Sequence, residues 1–265
     1  MDGRPRGSER SNDALTSYSG VDAVISGLRD GLAAILGSNL VGLYLTGSLA
    51  YGDFHPGSSD IDFFAVTGDR LKDDERQRVE ALHLGIQERA KEWAGRVETT
   101  YVPRGMLRSI DPPSEGRPYF NQGTMWRPDP VYGYEWLMQL AAARDFGIAL
   151  IGPRAETLIP EIDEARVREA SVRDLQKEWE PAIRDSSRLA TPHLRAFAVL
   201  TSVRALYRQE TGRFATKRAA AGWAGGRYPQ WGRLITGAAS WQHGEDLATP
   251  DEVAAFIRHA IHEVT

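Results

Sequence analysis

One stretch of the chain carries residue types at a spacing suited to phosphoryl chemistry. Gly47-Ser48 is followed, after eleven residues, by Asp60-Ile61-Asp62 at the head of an apolar run. In a strand, side chains two apart point to the same face, so Asp60 and Asp62 project together from one edge of a sheet. Two carboxylates side by side repel each other unless a cation sits between them. Mg2+ prefers oxygen and binds one or two carboxylates together with substrate phosphates. Gly47 allows close backbone approach to a phosphate, whose oxygens the Ser48 hydroxyl and nearby N–H groups can hold. A lone Asp-x-Asp is most often a solvated turn pair. The joint pattern of strand, Gly-Ser, polar turn, Ser-Asp-Ile-Asp and second strand is more specific and points to metal-assisted phosphoryl or nucleotidyl transfer. A third carboxylate, Glu98, lies between Val97 and Thr99 in a strand expected to pair beside the Asp60–Asp62 strand. A charge there is tolerated at a site or on an exposed face.

The elements that must position these groups are read from periodicity. Residues 1 to about 11 are polar and expected to be a disordered tail. Residues 13–36 carry apolar residues at helical spacing, with Gly37 as a stop. Residues 40–46, 61–66 and 96–102 read as strands, with turn chemistry from Gly47 to Ser59, and 73–93 as a charged amphipathic helix. Residues 103–130, rich in Pro and Gly, read as a long loop or crossover. Beyond it, helices are expected at 132–147, 153–158, 163–188, 193–210, 216–224, 228–239 and 250–263. The last opens on a capping signature, Thr249-Pro250-Asp251-Glu252.

With 265 residues, the chain can bury one large core or two small ones. A net charge of −4 gives no sign of a long nucleic-acid partner and suits a small cationic substrate. The absence of cysteine excludes disulfides, thiolate metal sites and cysteine nucleophiles. No secretory signal or membrane span is expected, and the cytoplasm is the expected compartment.

The string TGSLAYGDFHPGSSDIDFFAV resembles the signature of nucleotidyltransferases related to DNA polymerase beta. The resemblance extends to the aminoglycoside nucleotidyltransferases that adenylylate streptomycin and spectinomycin. VETTYV resembles that family's strand bearing the catalytic base, which places the base at Glu98. PVYGYEWLMQLAAARDFGIALIGPRAETLIPEI resembles the start of its helical domain. SVRALYRQETGRFATKRAAAGWA resembles its nucleotide-clamping helix pair, with basic residues at Arg204 and Lys217.

The resemblance implies an α+β fold: a polymerase-beta-like nucleotidyltransferase domain over 12–105, a crossover over 106–130 and an all-helical domain over 131–265. It implies two Mg2+ ions on Asp60, Asp62 and Glu98, and ATP bound across Gly47, Ser48, Ser59, Arg204 and Lys217. It implies a small cationic acceptor, an aminoglycoside or aminocyclitol, in an enzyme expected to be monomeric. Lys217 fits independently: a cation in a first helical turn opposes the helix dipole and needs compensation, which a triphosphate offers. In the segment Tyr119-Phe120-Asn121-Gln122-Gly123-Thr124-Met125-Trp126, Trp126 matches a drug-contacting tryptophan, with interdomain core as the competing role. Met125 replaces the glutamate that precedes that tryptophan in the family.

The acids that hold streptomycin fall at Ala190 and Leu194 here, and the nearby Asp185 matches only across a gap. A spectinomycin-like acceptor is therefore expected over streptomycin. His193, His243, His259 and His262 are assigned no special role, and Trp231 and Trp241 are expected in helical core. A protein or RNA acceptor, as in nucleotidyltransferase toxins, and a non-catalytic nucleotide-binding module are the alternatives.

Overall fold

The computed structural model describes residues 16–265. The expected tail and the first residues of the expected 13–36 helix lie outside the described residues. The helix itself, α1, spans Ser19–Leu36 and ends at Gly37. The three expected strands form as β1 (Leu40–Leu45), β2 (Ile61–Thr67) and β3 (Val97–Pro103). The segment after β1, expected as turn, instead opens on a short helix, α2 (Gly47–Tyr51), before looping to Asp60. Between β2 and β3 runs α3 (Asp73–Arg89), so these two strands are parallel. A parallel pair needs such a crossover because its strand ends lie at opposite edges of the sheet.

Three further strands complete the sheet, all outside the expected set. The crossover folds back as a hairpin, β4 (Tyr119–Asn121) and β5 (Thr124–Met125), turning through Gln122 and Gly123. Both turn residues have positive φ, 50° and 79°, as a two-residue hairpin favours. After α4 (Glu135–Phe146), β6 (Ile148–Ile151) returns to pair antiparallel with β1. The six strands run β5-β4-β3-β2-β1-β6. The sheet therefore draws on residues from the crossover and from beyond it.

Alternation decides what each face does. Leu43, Leu45, Ile61, Phe63, Ala65 and Val97 join α1 and α3 in one core. Tyr44, Phe64, Val66 and Val102 join Trp136, Leu137 and Leu140 of α4 on the other face. Beyond the sheet lie α5 (Glu164–Asp174), a π-helical turn (Leu175–Trp179), α6 (Glu180–Arg184), α7 (Pro192–Thr211), α8 (Lys217–Arg227), α9 (Gly232–Ser240) and α10 (Pro250–Val264). They close around a third core that includes Val199, Val203, Leu206, Ile235, Trp241, Phe256 and Ile257. Thr191, Thr216 and Thr249 cap α7, α8 and α10 through their side chains. The expected helix 153–158 is only a 3-10 turn (Ala155–Thr157), and 163–188 is interrupted by the π-turn. Among the described residues, no helix is long and apolar enough to cross a membrane.

The hairpin is anchored by Phe120, which is fully buried and stacks on His83 at 4.0 Å between ring centroids. His83 in turn contacts the Tyr101 hydroxyl at 2.6 Å, and burial pushes its pKa down to about 3, so it is neutral. Replacing Phe120 by Ala is expected to destabilise the protein by about 3–5 kcal/mol in urea unfolding, as a large core truncation does.

Candidate active site

The parallel register sets Asp62 directly beside Glu98. Both follow the alternation of Phe64 and Val102, so both face the α4 side of the sheet, at its open end. Asp60 lies just ahead of β2. The backbone N–H of Thr46 donates to the Asp62 carbonyl at 2.9 Å, tying the end of β1 to the carboxylate strand. The chain then turns at Gly47, with φ of 59°. A Cβ there would lie 1.8 Å from Asp62 Oδ2, so only glycine fits this approach. The Ser48 hydroxyl is buried and has no hydrogen-bond partner, which leaves it open to an anionic oxygen.

The cluster is electrostatically crowded. Burial first, then Glu98 and Asp60, push Asp62 up to about 8, against the opposing pull of Lys217. Glu98 is also raised, by burial first, with Tyr119 acting against the shift through a hydrogen bond. Lys217 opens α8 and its Nζ sits 5.2 Å from the Phe197 ring centroid. Its side chain is reached by solvent yet crowded by protein, as in a cleft. The resulting desolvation, with Arg204 nearby, lowers its pKa, while the three carboxylates pull it back up. Arg204, on α7, is likewise lowered by burial, and its Nε has no partner. Of the two sequence-assigned cations, Lys217 therefore faces the three sequence-assigned carboxylates, while Arg204 lies beside Lys217 and faces Tyr51 and Asp174.

Two neighbours of Asp60 correct the sequence reading, which did not single out Arg96 and gave His243 no special role. Arg96 Nε lies 3.5 Å and His243 Nε2 lies 3.9 Å from the same oxygen, Asp60 Oδ1. Arg96 also donates to the carbonyls of Pro56 and Ser59. The backbone N–H of His243 donates to Gly57 at 3.0 Å, so the loop after α9 presses on the Asp60 loop. His193 stacks on His243 and Trp241 packs edge-on against both. Arg96 was legible in principle: Ile61 pairs with Val97, so the residues just before them are neighbours. No local signal marks His243.

Other sequence-assigned residues have different surroundings. Ser59 Oγ accepts from the His55 N–H at 3.0 Å and so shapes the loop. Trp126 is 39% exposed, which rules out the interdomain-core role, and packs edge-on against Tyr119 with ring centroids 5.2 Å apart. Asp185 is an exposed turn cap that accepts from Ser187 and pairs with Arg188. A short polar side chain at a helix-breaking turn is used by the local backbone.

Among the described residues, no three carboxylate or histidine groups converge at metal-coordination spacing. The donor set nevertheless fits a hard divalent cation: three carboxylates, two of them in register, with a buried Asp60 oxygen that accepts no hydrogen bond. Substrate phosphates normally complete such a site, and like charges spread apart until a cation draws them in.

The raised Asp62 pKa has a sign that can be tested. Between its ordinary value near 3.8 and about 8, the folded state holds a proton that the unfolded chain has released. Stability therefore falls as pH rises through that window. Asp62→Asn removes this ionisation. In metal-free buffer at alkaline pH it is expected to melt roughly 2–4 °C above the wild type, with the gap narrowing toward acid pH in calorimetry.

Comparison with known proteins finds relatives for both halves of the fold. Residues 25–110 match the nucleotidyltransferase domain family. Residues 157–265 match the aminoglycoside adenylyltransferase C-terminal domain. No curated protein matches the chain. Among solved structures, the spectinomycin adenyltransferase AAD(9) from Enterococcus faecialis, crystallised with ATP and spectinomycin, superposes with a TM-score of 0.71. It covers 91% of this chain and 98% of its own at 20% identity, a likeness of fold. The chain is a nucleotidyltransferase, and it belongs to the family in which that catalytic domain is joined to the C-terminal domain of the aminoglycoside adenylyltransferases.

Proposed function

We propose that this enzyme transfers AMP from ATP to a hydroxyl of an aminocyclitol antibiotic, with spectinomycin favoured over streptomycin. The observation that carries the reading is that Asp62 and Glu98, level in strand register, are faced by Lys217 from the helical half, with Arg204 beside Lys217. In this reading Ser48, Arg204 and Lys217 bind the triphosphate, and Asp60, Asp62 and Glu98 hold magnesium, with two ions expected. The metal would supply neutralisation of phosphate charge and polarisation at the α-phosphorus.

The protein's own groups divide the remaining work. Glu98 takes the proton of the acceptor hydroxyl. The acceptor oxygen bonds to the α-phosphorus as the bond to the bridging oxygen breaks, and pyrophosphate leaves in line. Arg204 and Lys217 offset the charge that builds on the departing oxygens. A burial-raised carboxylate is suited to accept a proton at neutral pH. The acidic cleft favours a cationic acceptor. Apolar side chains at Ala190 and Leu194 disfavour streptomycin, because a guanidinium there would be left unpaired. With ATP as donor, the cytoplasm is the place of action.

Pure protein with Mg-ATP and a panel of aminoglycosides tests this, with pyrophosphate release and product mass as readouts. Spectinomycin is expected to gain one AMP. Adenylylation of streptomycin alone contradicts the acceptor preference, and no modification of any panel member favours a protein or RNA acceptor.

Three substitutions separate the roles. Asp60→Asn and Asp62→Asn are expected to abolish turnover while remaining folded, and pyrophosphate release at the wild-type rate would refute their assignment. Glu98→Gln is expected to keep ATP binding by calorimetry and to lose transfer by about 10²-fold or more, as loss of a general base does.

A further inference from the structure

Glu98 has two neighbours that this mechanism leaves unused. On β4, Phe120 pairs with Thr99 and Tyr119 with Thr100. The next step of the antiparallel ladder brings Asn121 alongside Glu98. Alternation then turns Phe120 into the α3-side core and puts Tyr119 and Asn121 on the Glu98 face.

The hydrogen bonds in this group have one consistent direction. The Gln122 N–H donates to Asn121 Oδ1 at 2.7 Å, which fixes the orientation of the amide. Asn121 Nδ2 then donates to the Tyr119 hydroxyl oxygen at 2.8 Å. An amide NH2 is a donor only, so the hydroxyl accepts there and keeps its own proton to give. Tyr119 lies diagonally across from Glu98 on that face, so the hydroxyl proton is free to reach the Glu98 carboxylate. Burial raises the phenol far above its ordinary pKa, so it stays protonated. The ring is held as well. Buried Arg117, whose Nη1 donates to Pro130 at 2.7 Å, lies 5.0 Å from its centroid.

We propose that Tyr119, oriented by Asn121, is the positioning residue for Glu98: its O–H donates to the carboxylate and holds it turned toward the acceptor hydroxyl and the magnesium site. The proposal rests on the reading of Glu98 as general base. It answers a physical need. A carboxylate beside two others tends to rotate away from them, and a base out of line by an ångström loses much of its effect.

Tyr119→Phe removes the O–H and keeps the ring contacts with Trp126 and Arg117. With Mg-ATP and spectinomycin, kcat is expected to fall about tenfold while KM for ATP and the melting temperature stay put. In a Glu98→Gln background the same substitution is expected to add little, because the two residues act as a unit. A readout independent of the acceptor uses protein labelled with 13Cζ-tyrosine. The Tyr119 resonance, assigned by its loss in Tyr119→Phe, is expected to move in Glu98→Ala. An unmoved resonance, or a Tyr119→Phe kcat within about twofold of wild type, overturns the positioning role. A Glu98→Gln enzyme with wild-type turnover overturns the general-base reading itself, a separate result because Tyr119 is untouched.

Discussion

The structure is organised around the repulsion of three carboxylates held at one edge of a sheet. Asp62 and Glu98 are fixed side by side by strand register, and Asp60 sits one step outside them. Asp62 is pushed up to about 8 because burial and its two neighbours all disfavour its charge. A fold selected for stability alone would place amides or apolar groups there. Here the opposing charges come from elsewhere: Lys217 from the helical half, and Arg96 at Asp60. Burial also lowers the pKa of Lys217 and of Arg204 beside it, so neither cation is at its ordinary value in the cleft. A nucleoside triphosphate with a divalent cation has the charges required to bridge them to the carboxylates.

The rest of the fold serves that arrangement. The α3 crossover lets β2 and β3 run parallel, and their register sets Asp62 level with Glu98. Gly47 lets the chain after β1 pass against Asp62 where no side chain would fit. The buried stack of His83 on Phe120 secures β4, and β4 presents Tyr119 to Glu98. The loop after α9 touches the Asp60 loop through His243, so the helical half contributes to the carboxylate edge as well as to the cations.

Much of this was legible in the sequence where elements were long or apolar. β1, β2, β3, α1, α3, α7 and α10 form at nearly the expected residues, and the Thr249 cap acts as its signature predicts. The misses are short. β4 and β5 hold three and two residues within a proline-rich stretch, and alternation cannot register over so few positions. β6, Ile-Ala-Leu-Ile between Gly147 and Gly152, carried an apolar signal that the surrounding helices masked. Among site residues, Asp60, Asp62 and Glu98 stood out because carboxylates at strand positions are unusual. His243 did not, because its neighbour Asp60 is close only after the helical half folds back. Asp185 was named because it matches the family's acids across a gap, and in the structure it caps a local turn through Ser187.

The carboxylate edge is held in a state that a divalent cation relieves. Calorimetric melting at alkaline pH, with and without Mg2+, measures this most directly on the wild type and on Asp62→Asn. Added Mg2+ is predicted to raise the melting temperature of the wild type and to leave Asp62→Asn nearly unchanged. An equal rise in both proteins, or no rise in the wild type, would contradict it.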